Sequence, residues 1–303
     1  MGNDGVYGGT GVYGVSNVDV RRWVDQYITE SGGSWFYTEY IWRRFNIITR
    51  QGRDTVWQRL REHAEAGRVE KDGLRWRTRD TELNDIDIFQ KQNFVFVKFP
   101  FELHKYIRLT EGALMVAAGV KESCKTALLL NTAYKNMYDW ETHYFDSESG
   151  ATLLSERLLG IDPSLPNPLP FKIHHRVRNF SDVIFPDALN IIDYLDLGKE
   201  YQGVGDELLR IVEALNRGVA IVGLQKPPPS RTKDGKLIVR DWGYGGLPTI
   251  HRAQVALSMD RGKLKIVAAK SRADRTIDPV NKQWTFRLDN TGSNFIETNE
   301  WMV

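Results

Sequence analysis

GVKESCKTALLLN, residues 119–131, follows the short apolar run ALMVAA (113–118) and leads into another apolar stretch. It has the spacing G-x-x-x-x-G-K-[ST] with one departure. Gly119 opens the pattern and Lys125 and Thr126 close it, but Cys124 stands where the second glycine belongs. A loop between a strand and a helix start can turn several backbone N–H groups toward a phosphate, and the helix dipole adds to the attraction. Here Gly119, Val120, Lys121, Glu122, Ser123, Cys124 and Ala127 would supply the backbone. In such a loop the lysine reaches the β- and γ-phosphates and the hydroxyl holds magnesium, roles open to Lys125 and Thr126. Glycine before the lysine avoids crowding the phosphate and tolerates a positive φ. Cysteine at 124 costs little if its φ is negative. Three readings stand at this point: a working loop, a dead one, and a chance likeness.

The surrounding chain narrows them. Its 303 residues are enough for one large domain or two ordinary ones, and 41% hydrophobic with 26% charged residues is the balance of a globular protein with a full core. A formal net charge of +2 announces no nucleic-acid or membrane partner, so any basic surface must come from local clustering. One cysteine allows no internal disulfide, which suits a reducing cytoplasm. No apolar run approaches the roughly 20 residues needed to span a bilayer, so no membrane role is expected. MGNDGVYGGTGVYGVS, residues 1–16, reads as a flexible Gly/Tyr-rich tail.

Residues 17–80 form a small module. NVDVRRWVDQYITES predicts a helix capped by Asn17, and SWFYTEYIWRRFNI a second short one. TRQGRDTVWQRLREHAEAG predicts a third, capped by Thr49 or Asp54 and stopped by Gly67. RVEK and LRWR flank Asp72-Gly73, a hairpin signal. Three helices and a hairpin resemble a winged-helix domain. The resemblance implies DNA contact by Arg50, Arg53, Arg59 and Arg61 on the third helix and Arg75, Arg77 and Arg79 on the wing. The alternative is that these arginines only solvate the module. TELNDIDIFQKQ, 81–92, reads as the linker.

From 93 to 303 the chain predicts an α/β domain with a mostly parallel sheet. Strands are expected at 113–118, 142–148, 172–177, 188–197, 219–225, 254–260, 263–272 and 283–289, and helices at 125–138, 150–159 and 205–217. Four segments follow the loop in order. THYFDSESGATLLSERLLG sets Glu148 between strand and helix; NIIDYLDL ends an apolar strand in Asp193; VAIVGLQK ends one in Gln225; IHRAQVALSMDRGKLKIVAAKSRADRT leads to Lys270 and Arg272. Together with the loop these resemble RecA-like P-loop ATPases and the bacterial replicative helicases of the DnaB type, over residues 110 to 290.

The resemblance implies ATP and Mg2+ as ligands. It implies that Lys125 neutralises phosphate, that Thr126 and Asp193 hold the metal, and that Glu148 activates water. Gln225 would sense the γ-phosphate, while Lys270 and Arg272 reach into a neighbouring subunit of a hexameric ring or filament. Single-stranded DNA would run along loops bearing Lys199 on one side and Lys226, Arg231, Lys233, Lys236 and Arg240 on the other. An ordinary solvated hairpin around Asp234-Gly235 is the plain alternative for the second loop. The implied activity is an ATP-dependent DNA helicase or translocase, for replication of a mobile element. A filament-forming recombinase or mediator, or a non-hydrolysing winged-helix regulator on an ATPase scaffold, would use the same parts. Cys124, and Asp196 where the helicases often carry glutamine, depart from the family pattern.

Overall fold

A computed structural model of the chain describes residues 16–80, 89, 93–196 and 203–301. The expected tail except Ser16, the expected linker except Phe89, and Lys199 lie outside these residues. The chain divides into two units, Met1–Phe89 and Gln90–Val303.

The first unit runs α1 (Asn17–Glu30), β1 (Phe36–Tyr37), α2 (Thr38–Arg44), α3 (Arg50–Glu65), β2 (Val69–Asp72) and β3 (Arg75–Thr78). The i, i+4 spacing of Val20, Val24 and Ile28 and of Val56 and Leu60 makes two amphipathic faces that close over Phe36, Ile41 and Trp76. Ser16, rather than Asn17, caps α1 by accepting from the Asp19 N–H, and Thr49 caps α3 through the Gly52 N–H. The helix expected over 34–47 begins later. Phe36 and Tyr37 are extended and pair with β3, giving a three-stranded sheet in the order β1-β3-β2. Gly73, at φ +58°, makes the β2–β3 turn.

In the second unit a ribbon of β4 (Phe94–Val95) and β5 (Leu109–Thr110) precedes a nine-stranded sheet. Its strands are β6 (Leu114–Gly119), β7 (Thr142–Asp146), β8 (Lys172–His175), β9 (Leu189–Leu195), β10 (Val219–Gln225), β13 (Val255–Asp260), β14 (Lys263–Ala269), β15 (Gln283–Leu288) and β16 (Phe295–Trp301). The pair β11 (Ser230–Arg231) and β12 (Leu237–Ile238) forms a separate hairpin. Helices α4 (Lys125–Asn136), α5 (Gly150–Ile161), α6 (Val204–Ala214) and the short α7 (Pro248–His251) complete the unit. The sheet order is β16-β15-β14-β13-β6-β10-β9-β7-β8, with β6, β7, β8, β9, β10 and β13 parallel and β14, β15 and β16 antiparallel.

This is the α/β, mostly parallel architecture that the RecA-like resemblance implies. Alternation along β6 explains why it is buried on both sides. Met115 and Ala117 join one core with Leu128 and Tyr144, and Leu114, Val116 and Ala118 join the other with Leu208 and Ile211. β16 was not expected from the sequence; its run, FIETNEW, carries four consecutive polar residues, 297–300, and shows no apolar alternation.

Candidate functional site

The registers of the sheet gather the site. Gly119 at the end of β6 lies level with Gln225 of β10 and Met259 of β13, and Asp146 of β7 pairs with Asp193 of β9. Carboxyl ends of parallel strands therefore converge where open α/β sheets bind ligands. The Gly119–Cys124 loop is held by Val120 N–H donating to Met259 O and Ser123 N–H to Val120 O. A Cβ on Gly119 would stand 2.2 Å from Ser123 Oγ, so only glycine closes the loop this tightly. Cys124 sits at φ +68°, ψ +27°, the left-handed region. The negative φ that would make cysteine inexpensive at this position is not adopted; the backbone keeps the shape that favours glycine, at a cost of about 1–2 kcal/mol. The side chain is half-buried against the core, and burial pushes the thiol pKa up.

Lys125 begins α4 with its ammonium buried at the loop. Nζ donates to Gly119 O (3.0 Å), Val120 O (3.3 Å) and Gln225 Oε1 (3.2 Å). Burial lowers its pKa, although Asp193 and Glu148 act in the opposite sense. Asp193 is 3% exposed and its pKa is raised by burial, despite hydrogen bonds from the Tyr144 hydroxyl (2.6 Å) and the Thr126 hydroxyl. A buried base and a buried acid therefore face each other at the mouth of one loop, each pushed toward its neutral form by burial.

The loop fits a polyphosphate. Ser123 Oγ is buried with no hydrogen-bond partner. The first-turn N–H groups of Lys125, Thr126 and Ala127 have no intrahelical acceptor. The Thr126 and Asp193 oxygens together fit Mg2+, which takes one or two protein oxygens and fills the rest of its shell with phosphate and water. Among the described residues no group of three or more His, Cys, Asp or Glu forms a self-sufficient metal cage.

Glu148 is exposed between β7 and α5, on the Asp193 side of the loop and close enough for its charge to act on Lys125. Asp146 tightens that turn by accepting the Ser149 and Gly150 N–H groups at 3.0 and 2.8 Å. Lys270 and Arg272 are not brought to the loop of their own chain. Lys270 N–H bonds Gln254 O, and Gln254 N–H bonds Leu114 O, so Lys270 is level with the start of β6. The five residue steps from Leu114 to Gly119 separate it from the loop by about 17 Å of strand. Arg272 pairs with Asp278 at 3.1 Å, and Lys270 Nζ bonds His251 O at 2.7 Å.

Lys226 is corrected. Its side chain is fully buried, with Nζ on Asp260 (2.9 Å) and Ser258 Oγ (2.8 Å), so it braces β10 against β13 and is no phosphate contact. Beyond it a hairpin does form about Asp234-Gly235, and it leaves Arg231, Lys233 and Lys236 exposed. Arg231 bonds Gly235 O, and Arg240 is half-buried on Ser230 Oγ. Tyr244 N–H returns to Gln225 O at 2.8 Å, so the segment between these residues starts and ends at one glutamine.

In the first unit Arg50 and Arg53 are exposed, the latter with its guanidinium 4.9 Å from the Trp42 ring centre. Arg59 is consumed within the unit by a two-pronged bond to Asp25, 2.7 Å on each side, and by Glu62. Arg75 and Arg77 pair with Asp72 and Glu70 while covering Trp35. Tyr144 is the site residue that the sequence reading missed. Within THYFD it reads as another core aromatic, and only the β7–β9 register shows its hydroxyl meeting Asp193.

No family model and no curated protein matches the chain. Among solved structures it is similar to a KaiC-like protein, PH0186, from the hyperthermophilic archaeon Pyrococcus horikoshii OT3, with 15% identity and a TM-score of 0.47 over 69% of this chain and 100% of that one. It is also similar to the RadB recombinase, with 17% identity and a TM-score of 0.41 over 60% of this chain and 90% of that one.

Proposed function

We propose that the chain is an ATP hydrolase that assembles into a homo-oligomer and moves along single-stranded DNA, a helicase or translocase serving a phage, plasmid or other mobile element. The observation that carries this reading is the convergence of Lys125, Thr126, Asp193 and Gln225 on one strand–loop–helix junction. Lys125 and the loop N–H groups bind the β- and γ-phosphates, and Glu148 orients the attacking water and takes its proton. Thr126 and Asp193 would hold Mg2+, which supplies charge neutralisation on the phosphates when bound. Tyr144 fixes the Asp193 carboxylate from below.

Gln225 touches Lys125 with its side chain and holds the basic hairpin segment with its carbonyl, which favours coupling between phosphate and strand. Lys270 and Arg272 act on the next subunit's nucleotide, in keeping with their place far from their own loop. The first unit is read as a winged helix whose Arg50 and Arg53 meet duplex phosphates.

The test is ATP hydrolysis with and without single-stranded DNA. Stimulation by DNA is expected, with a loss of about a hundredfold or more in Lys125→Ala. A folded wild-type protein that hydrolyses no ATP would overturn the proposal.

A further inference from the structure

A pocket of about 620 Å³ opens on the β13 side of the phosphate loop. Val120, Pro228, Pro229 and Val239 give it apolar walls, with Lys121 and Lys263 at its rim. Thr126, Glu148 and Asp193 are not among its described lining residues, so it is distinct from the metal side of the loop.

Charge bookkeeping leaves a cationic rim over a neutral floor. Lys226 is neutralised by Asp260 and Arg261 by Glu122. Lys121 and Lys263 are exposed and have no acidic partner among the described residues. Flat apolar walls with two unmatched ammonium groups suit a planar, weakly polar body carrying an anion. The position narrows the choice. Pro229 enters β11 and Val239 leaves β12, so the pocket lies at the root of the hairpin whose far end exposes Arg231, Lys233 and Lys236. A phosphate backbone drawn along that end presents its bases to the root.

We propose that this pocket seats one unstacked base of the single strand, with the adjoining phosphate held by Lys121 and Lys263. The inference rests on the DNA reading above and adds a base-dependent step to it. Two of the pocket's residues, Val120 and Lys121, belong to the phosphate loop, and a third, Gln225, bonds Lys125. A seated base therefore reports directly to the nucleotide.

The experiment compares binding of an oligothymidylate with that of an abasic oligonucleotide of equal length, on wild type and on Val239→Trp. Val239 is 47% exposed, so tryptophan there fills the pocket without entering the core. Wild type is expected to bind the oligothymidylate roughly tenfold tighter than the abasic strand, on the scale of one stacked base. Val239→Trp reduces that ratio to about one, while abasic affinity and DNA-free hydrolysis stay unchanged. Lys263→Gln weakens both strands alike. Equal binding of both strands by wild type, or a ratio that survives Val239→Trp, overturns the base pocket and leaves the DNA reading standing. Binding of neither strand overturns both.

Discussion

Cys124 holds a backbone conformation that glycine adopts freely, and its half-buried side chain packs against the core. Cys124→Gly should therefore leave ATP affinity within about twofold, because the loop shape is already the binding shape. The same geometry predicts slow alkylation of Cys124 at neutral pH, since burial raises the thiol pKa and starves it of thiolate. Rapid labelling, or a large gain in affinity in the glycine variant, would show the thiol facing the phosphate instead. Asp193 tells a complementary story. Its folded pKa is raised, so the stability it contributes is present below its unfolded pKa of about 3.8 and is lost as pH rises through the folded value. At neutral pH the buried carboxylate costs stability. Asp193→Asn is expected to raise the melting temperature of the ligand-free chain while abolishing Mg2+-dependent hydrolysis, the trade expected of a site group. A lower melting temperature would mean that the Tyr144 and Thr126 hydrogen bonds outweigh the burial.

At the scale of elements, the edge of the sheet carries its own titration. His143, fully buried on β7, links Glu141 (3.1 Å) to His174 of β8 (3.0 Å). Burial and then the His143 charge depress the His174 pKa. Folded His174 therefore binds fewer protons than it does in the unfolded chain. Its contribution is whole above the unfolded pKa of about 6.5 and is lost as pH falls from there through the lower folded pKa. Urea midpoints measured across that range should decline on the acid side, and His174→Gln should flatten the decline. An unchanged slope in the variant would remove His174 from the account. Elements like β6 and β10 were legible because continuous apolar runs bounded by turn residues admit few other readings. β1 was hidden in a helical pattern because its two residues are strand only by pairing with β3, a contact far along the chain. Lys226 was misread for a similar reason. A lysine opening a basic Pro-rich segment looks solvated until the β10–β13 neighbourhood supplies Asp260.

At the scale of the whole molecule, the nearness of Lys125, Thr126, Asp193 and Gln225 was legible because each sits at a strand end or at the helix start that follows one, where order along the sequence becomes nearness in space. Lys270 and Arg272 stand at the opposite end of the strands from Lys125, so the role proposed for them falls to the copies in a neighbouring subunit. The central claim is that nucleotide bound at the Lys125 loop is hydrolysed with help from a neighbouring subunit. Mixing two inactive variants tests it most directly. Lys125→Ala keeps a sound Arg272 and Arg272→Ala keeps a sound loop, so each mixed contact in one direction is wild type. The account predicts that both variants alone hydrolyse almost no ATP and that the mixture recovers activity. Full activity of Arg272→Ala alone, or a mixture as inactive as its parts, would contradict it.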